Sequence, residues 1–324
     1  MVSWHGDRET LVSADIKTGL FVEGRMKPYL AIVNPAAGGG RCGKLAPAVI
    51  GGLRAKGIPI EVRYTEARGD GLRLAREAYS KGFRRFLAAG GDGTSFEIVN
   101  GLFVISPPDE RVTLGFLPLG TGNSFLRDFG PGGVEFAREA ILSGRSKPCD
   151  VLCLNHKQGR LYYINLVSIG FTAEAGELTN RYFKRVGVPG YLAAILLCWL
   201  RLHYPVYPLR LDGVSMLDLR PCTYLTFSNS RYTGGNLMIA PTAETADGLV
   251  EITRVGVIRR LDFARTFPKI YTGEHIHHPL ISHTRAKRVE FALARPTDVM
   301  IDGEVVRCHP ESIEVLPSAL DVMV

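Results

Sequence analysis

No stretch of this 324-residue chain is long and apolar enough to cross a bilayer as a helix. The longest apolar run, Tyr191 to Leu200, has ten residues, and a span needs roughly 20. No secretory leader is visible: residues 1–27 are polar and mixed, and are expected to form an extension, disordered or loosely held, outside the folded domains. Met26 stands directly before the first apolar strand and is an alternative start. No block of like charge marks a nucleic-acid tail. The net charge of +7 is spread along the chain and suits small anionic ligands or an anionic membrane surface. The six cysteines (Cys42, Cys149, Cys153, Cys198, Cys222 and Cys308) form no CxxC pair and no disulfide framework. Reduced, semi-buried thiols and a cytoplasmic setting are therefore expected.

What is present is glycine at strand ends. The chain is organised around Gly90-Gly91-Asp92-Gly93-Thr94. An apolar run, Phe86 to Ala89, precedes it as a buried strand. Ser95 to Leu102, apolar at Ile98, Val99 and Leu102, follows as an amphipathic helix. Strand, glycine turn and helix together suit phosphate, because glycines admit close backbone approach and a helix N-terminus presents free N–H groups. A carboxylate there would repel a bare phosphate. It has a use if it holds Mg²⁺ or takes a proton from an attacking hydroxyl. The ordinary alternative is an Asp-Gly turn.

Four strands are expected in the first half: Tyr29–Val33, Ile58–Tyr64, Phe86–Ala89 and Val112–Leu117. Helices alternate with them, from about Gly43 (Leu45, Val49 and Leu53 on one face), over Asp70–Ser80 (Leu72, Ala75, Tyr79) and over Phe96–Phe103. Strand starts recur at roughly the 30-residue size of a βαβ unit. This predicts a three-layer α/β domain with a parallel sheet over residues 28–148, its ligands at strand C-terminal ends. Asn34-Pro35-Ala36-Ala37-Gly38-Gly39-Gly40 closes the first strand. Gly38 to Gly43 satisfies GxGxxG, with Glu61 near the position of a ribose-binding acid, and GxxxxGK is met through Lys44. Leu45, however, stands where a P-loop needs Ser or Thr. Only the shared content is kept, a glycine loop suited to phosphate. The stretch Pro118-Leu119-Gly120-Thr121-Gly122-Asn123-Ser124-Phe125 ends the fourth strand before a short helix over Ser124–Asp128. Asn123 there is a ligand group or a helix cap. Three glycine loops at the ends of parallel strands converge on one crevice.

After Pro148 the pattern turns to alternation. Strand candidates are Val151 and Cys153, Leu161–Val167, Leu209–Leu211, Cys222–Phe227, Leu249–Arg254, Val289–Leu293, Asp298–Ile301 and Ile313–Leu316. They predict an antiparallel β-sandwich over 149–324, joined through Ser146-Lys147-Pro148. One helical stretch, Gly190 to His203, carries Leu192, Ile195, Leu196, Trp199, Leu200 and Leu202 after Lys184 and Arg185. A helix packed on the sandwich is favoured over one touching a bilayer. Asp302-Gly303-Glu304 and Asp247-Gly248 read as turns from their residues alone. His275-Ile276-His277-His278 lacks a Cys or carboxylate spaced to complete a zinc site. Arg25, Lys27 and Arg41 read as solvated charges or as attractants for acidic headgroups.

Taken in order, these residues resemble the diacylglycerol kinase catalytic family, which includes bacterial lipid kinases, sphingosine kinases and ceramide kinases. The resemblance rests on Asn34-Pro35 with its glycines, Thr65-Glu66 with Gly69-Asp70, and Gly90 to Thr94 through Glu97 and Asn100-Gly101. It continues in Pro118 to Asn123, Ala240-Pro241 with Asp247-Gly248, Gly273-Glu274-His275 and Asp302-Gly303-Glu304, covering residue 28 to the end. It implies ATP in a cleft between the two domains, with Asn34, Pro35, Gly38, Gly39 and Gly40 near phosphates and Thr65 near the nucleoside. Gly90, Gly91, Asp92, Gly93, Thr94 and Glu97 would surround phosphates and Mg²⁺, and Gly120, Thr121, Gly122 and Asn123 would close the far side. Asp302 becomes a candidate general base supported by Glu304. Asp92 is the alternative base, and both aspartates are expected to be essential. Asp247 resembles a structural Mg²⁺ position, or else is the turn alone. In some members the last strand returns to the first domain, which would take Ala319–Val324 there. Ser124 departs from the Asp usual in bacterial diacylglycerol kinases, and Phe96 from a frequent Asn. Sphingosine and ceramide kinases also lack that acid, so the lipid class stays open.

The expected activity is transfer of the ATP γ-phosphate to the hydroxyl of a diacylglycerol-like or long-chain-base lipid. Peripheral association with a membrane is expected, and a homodimer is left open. The nearest rival is an NAD kinase-like phosphotransferase, against which the Gly120–Asn123 loop and Asp302-Gly303-Glu304 argue. A catalytically silent lipid- or nucleotide-binding regulator is the other, kept open by Ser124 and Phe96.

Overall fold

The computed structural model describes residues 21–22, 25–26, 28–104, 111–183 and 188–324. Most of the expected extension lies outside them, as do Lys27, Lys184, Arg185 and the side chain of Arg25. A short ribbon, β1 (Phe21–Val22) with β2 (Arg25–Met26), precedes the main body. The first half then runs β3 (Tyr29–Val33), α1 (Arg41–Ala55), β4 (Ile60–Tyr64), α2 (Asp70–Ser80), β5 (Arg85–Gly90), α3 (Asp92–Phe103) and β6 (Val112–Pro118). All five residues of β3 are apolar and buried, as a strand covered on both faces requires. The strands lie in the order β4-β3-β5-β6 and every neighbour is parallel. Tyr29, Ala31 and Val33 pack with Cys42, Ala46, Ile50 and Leu53 of α1, whereas Leu30 and Ile32 pack with Ala75 and Tyr79 of α2 and Ile98 and Leu102 of α3. This is the expected three-layer α/β arrangement.

Two helices differ from their sequence reading. The buried face of α1 is Cys42, Ala46, Ile50 and Leu53 rather than Leu45, Val49 and Leu53, and Leu45 is exposed. Gly43 lies against Pro35, where an added Cβ would stand 3.1 Å from the Pro35 carbonyl oxygen, and this close approach fixes which residues turn inward. Helix α3 begins at Asp92, not after Thr94, so the Asp-Gly pair weighed as an ordinary turn lies in the first turn of a helix.

A 3₁₀ turn (Phe125–Asp128) leads to α4 (Gly133–Ser143), then to β7 (Ser146–His156), β8 (Gly159–Tyr163), β9 (Leu166–Gly170), α5 (Phe171–Leu178) and α6 (Val188–Leu200). There follow β10 (Leu209–Leu211), β11 (Tyr224–Ser228), β12 (Tyr232–Thr233), β13 (Leu237–Met238), β14 (Val250–Val255) and α7 (Arg260–Thr266). The chain finishes with β15 (Ile281–Ala286), β16 (Arg288–Phe291), β17 (Thr297–Ile301), β18 (Glu304–Cys308) and the long β19 (Pro310–Met323). An antiparallel sheet, β15-β14-β11-β9-β17-β18, forms one layer of the second half. The layer opposite is not separate: β10-β16-β19-β7-β8 continues the first sheet. Val167, Leu225, Phe227, Ile252 and Ile301 of one layer meet Leu152, Leu154, Tyr163, Val289 and Ile313 of the other in a common core.

β19 holds both halves together. Its early residues pair with β16 and β7, and its end lies between β6 and β7, with Leu320–Val322 parallel to Val112–Leu114. A bulge between Leu316 and Leu320 makes the change of neighbour, and Asp150 pins it by accepting the Ser318 N–H at 2.7 Å. The junction expected at Ser146-Lys147-Pro148 falls inside β7.

Candidate active site

The strand order places a switch at β3: the chain leaves it first toward β4 and later toward β5, so the loops after β3 and β5 diverge at one crevice. The Asn34 N–H donates to Ala89 O at 2.9 Å, and Asn34 Oδ1 caps its own loop by accepting the Ala36 N–H at 3.1 Å. Pro35, Gly38, Gly39 and Gly40 follow in that loop. The third loop folds back onto the second, with the Gly120 N–H donating to Gly90 O at 2.7 Å. A Cβ on Gly120 would stand 2.5 Å from Gly91 Cα, and one on Gly122 would stand 2.8 Å from Asp92 Oδ2. Only glycine permits this contact of backbone with backbone and carboxylate. Arg41 is not a free surface charge: its Nη2 donates to Gly120 O at 2.5 Å and ties the first loop to the third. At the start of α3, the Thr94 N–H and Ser95 N–H turn back to Gly91 O (2.9 and 3.4 Å), leaving the amides of Asp92 and Gly93 for a ligand.

Asp92 accepts the Ser124 N–H on both oxygens (3.1 and 3.2 Å) and the Ser124 hydroxyl at 2.7 Å. Ser124 Oγ in turn accepts from Asn165 Nδ2 at 3.1 Å, and the Asn165 amide oxygen accepts the Ser230 hydroxyl. Since Asn165 donates to Ser124, the serine hydrogen is left for Asp92. The chain of donors therefore points from Ser230 to Asp92. Burial pushes the Asp92 carboxyl up, and the Ser124 bonds hold it down.

Asp302 reaches the same network from the other half. With Gly303 it forms a two-residue hairpin loop, both at positive φ (44° and 88°), between β17 and β18. The turn read from these residues is thus present. Only 4% exposed, Asp302 accepts the N–H groups of Leu166 (2.9 Å), Asn165 (3.2 Å) and Ile164 (3.2 Å). Burial pushes its carboxyl up to about 7 against these three amides, and the Asp92 charge adds to the rise. The donors exist because the run read as one strand, Leu161–Val167, breaks: β8 stays in one sheet and β9 enters the other, leaving Ile164 and Asn165 between them. Asn165 is the residue the sequence reading missed. Its signal was a lone amide inside an apolar run.

Glu304 starts β18 and meets Arg68, from the loop before α2, at 2.7 Å. A Cβ on Gly93 would lie 3.2 Å from Glu304 Oε1, so this acid spans from the hairpin to the α3 N-terminus. Glu97 is placed differently from the expectation: its carboxylate accepts the N–H groups of Gly69 (2.8 Å) and Gly71 (2.9 Å) and anchors the start of α2. Thr65 is buried at the end of β4, its N–H donating to Val33 O at 2.9 Å. Thr121, Gly122 and Asn123 (φ 43°) complete the third loop. Asp247 lies apart, accepting the Leu249 N–H at 3.0 Å and facing Arg285 at 3.5 Å. His275 is buried with Nε2 3.2 Å from Ile239 O, and among the described residues no group of three acid, His or Cys ligands is preassembled. Phe96 packs into the core between the two layers. A cavity of about 350 Å³ lined by Arg210, Arg288 and Phe291 lies away from these loops and shares no residue with them.

Known proteins resemble this chain along most of its length. Residues 28–154 match the family model described as the diacylglycerol kinase catalytic domain, and residues 165–324 match the YegS C-terminal NAD kinase beta sandwich-like domain. A diacylglycerol kinase of Mycobacterium tuberculosis is 30% identical over 296 residues, covering 90% of this chain and 94% of that protein. A diacylglycerol kinase of Bacillus subtilis is 28% identical, covering 86% and 90%. A crystal structure of a diacylglycerol kinase from Bacillus anthracis shares the fold with a TM-score of 0.67 at 22% identity, over 91% of this chain and 96% of that one. The two domain matches follow one another along a chain whose Asp92 and Asp302 are joined through Ser124 and Asn165, and the protein belongs to the diacylglycerol kinase family of lipid kinases.

Proposed function

We propose that the protein transfers the γ-phosphate of ATP to the hydroxyl of a diacylglycerol-like or long-chain-base lipid. The observation that carries this reading is Asp302, a buried carboxyl poised near neutrality and joined through Asn165 and Ser124 to the aspartate of the glycine loops. The backbone amides at the α3 N-terminus and in the loops after β3 and β6 bind and orient phosphate oxygens. Asp302 takes the proton of the lipid hydroxyl as it attacks, and its unprotonated fraction grows as pH rises through about 7. Asp92 fits a magnesium ion, because its half-buried carboxylate has no cationic side chain among its partners. Mg²⁺ is commonly held by one or two carboxylates together with substrate phosphates. Bound there, it would neutralise charge on the transferring phosphoryl group. Glu304, paired with Arg68, closes the entrance between hairpin and α2.

The test is transfer of label from ATP with Mg²⁺ to a panel of diacylglycerol, monoacylglycerol, sphingosine, ceramide, undecaprenol and NAD, beside Asp92→Asn and Asp302→Asn. Label is expected in one lipid class, with a loss of about 10²–10⁴-fold in Asp302→Asn and a loss at least as large in Asp92→Asn. Label entering NAD alone would overturn the reading.

A further inference from the structure

Helix α6 packs one side into the second half: Ile195, Cys198 and Trp199 lie against a core of Phe171, Ile258 and Phe263. Its other side is bare. Leu196 is 55% and Leu200 50% exposed, one helical turn apart, with Leu197 also exposed beside them. Two hydrogen bonds bring the start of α7 alongside: Trp199 Nε1 donates to Arg260 O at 3.0 Å and the Tyr204 hydroxyl donates to Ile258 O at 2.6 Å. That second segment adds Val257 at 44% and Leu261 at 67% exposure. Arg201, Arg259 and Arg260 are exposed on the same two segments, and none has an acidic partner among the described residues. Glu174 and Glu177 of α5 and Asp262 of α7 are already matched, by His203 at 3.2 Å, Arg181 at 4.0 Å and Arg265 at 3.7 Å. Aliphatic side chains ringed by unpaired arginines fit an interface that is apolar inside and anionic at its surface.

We propose that the exposed faces of α6 and the β14–α7 corner form the surface by which the protein docks on an anionic bilayer. This rests on the lipid-kinase reading for its purpose, not for its geometry. The link to the site is direct. Helix α6 follows α5, and Gly176 of α5 lies so close to the β17–β18 hairpin that a Cβ there would stand 2.8 Å from Val305 Cγ2. The hairpin carrying Asp302 is therefore braced by the segment that leads into the docking helix.

The experiment is vesicle co-sedimentation with phosphatidylcholine alone and with an equal mixture of phosphatidylcholine and phosphatidylglycerol. Leu196→Ser/Leu200→Ser, Arg259→Gln/Arg260→Gln and a loop control, Met216→Ser, are compared with the wild type. The wild type is expected on the mixed vesicles, the leucine pair to lose at least about tenfold in partitioning, and the arginine pair about fivefold per charge, on mixed vesicles only. Met216 is 79% exposed in a loop outside the surface, and its variant should bind as the wild type does. A parallel assay uses a short-chain diacylglycerol dispersed as monomers, on which the leucine and arginine variants should keep the wild-type rate. Equal binding by wild type and leucine variant would overturn the proposal. So would a leucine variant that binds vesicles normally but fails on dispersed lipid, which would make α6 part of an acyl pocket. Loss of vesicle binding in a protein that phosphorylates no lipid would uphold the surface and sink the kinase reading.

Discussion

At the scale of residues, the site rests on two carboxyls kept apart in character by what donates to them. Asp92 receives a directed chain of hydroxyl and amide donors, whereas Asp302 receives only main-chain amides and sits deeper. Ser124→Ala or Asn165→Leu should lower kcat by roughly 10- to 100-fold through a loss of about 1–3 kcal/mol, with KM for ATP little changed. Ser124→Thr, which keeps the hydroxyl, should recover most of the rate, and the double variant should lose less than the product of the two. Steady-state kinetics on the four proteins decides this. Equal losses in Ser124→Ala and Ser124→Thr would show that shape, not the hydrogen bond, matters. Asp302 also links pH to stability. Folded, it keeps its proton up to about 7; unfolded, an Asp releases it near 4. The folded state therefore binds more protons in between, so this contribution is full below the lower value and fades as pH rises to the upper, by at most ~4 kcal/mol. Melting curves between pH 4 and 8 should show wild type losing ground to Asp302→Asn, while wild-type activity climbs over the same range. The departure at Ser124 was legible in the sequence, but its meaning was not, because its partner Asn165 stands between β8 and β9 and is itself held by Ser230 just after β11, far along the chain.

Among the elements, a tight constraint lies where α2 crosses α3. A Cβ on Gly101 would stand 2.3 Å from Leu72 O and 2.9 Å from Ala75 Cβ. Gly101→Ala should force the helices apart at a cost of about 1–3 kcal/mol, read as a lower midpoint in chemical denaturation with the slope unchanged. A midpoint equal to wild type would mean that the crossing yields freely. Asn100 joins the same helix to β8, giving and taking hydrogen bonds with the Tyr162 backbone at 2.8 and 2.9 Å. The parallel strands were legible because burial on both faces leaves continuous apolar runs, as in β3, β5 and β6. Helix α4 and strand β15 were not. In α4 the buried set is only Ala137, Ala140 and Ile141, and in β15 only Ile281 and Ala286 are buried, which leaves little periodicity to read. The α1 face was misread for a related reason. Small inward residues, Cys42 and Ala46, gave way in the reading to larger outward ones.

For the whole molecule, the two halves are distinct in pattern but not in framework, since β7 and β19 run through both. A sequence announces strands, but the order in which they pair depends on which edges remain free once the rest has folded. Calorimetry should therefore show one transition for the full chain, and a chain stopped after Pro317 should show none and bind no ATP. Two separate transitions would refute the shared framework. The three glycine loops of the crevice are complete by residue 124, yet the strand that covers the flank of β6 comes only at residues 310–323. On the ribosome, the first half must wait, with an open sheet edge, until β19 has been synthesised. An interrupted message then yields a chain whose β6 edge stays bare, and even normal synthesis calls for protection of that edge during the wait.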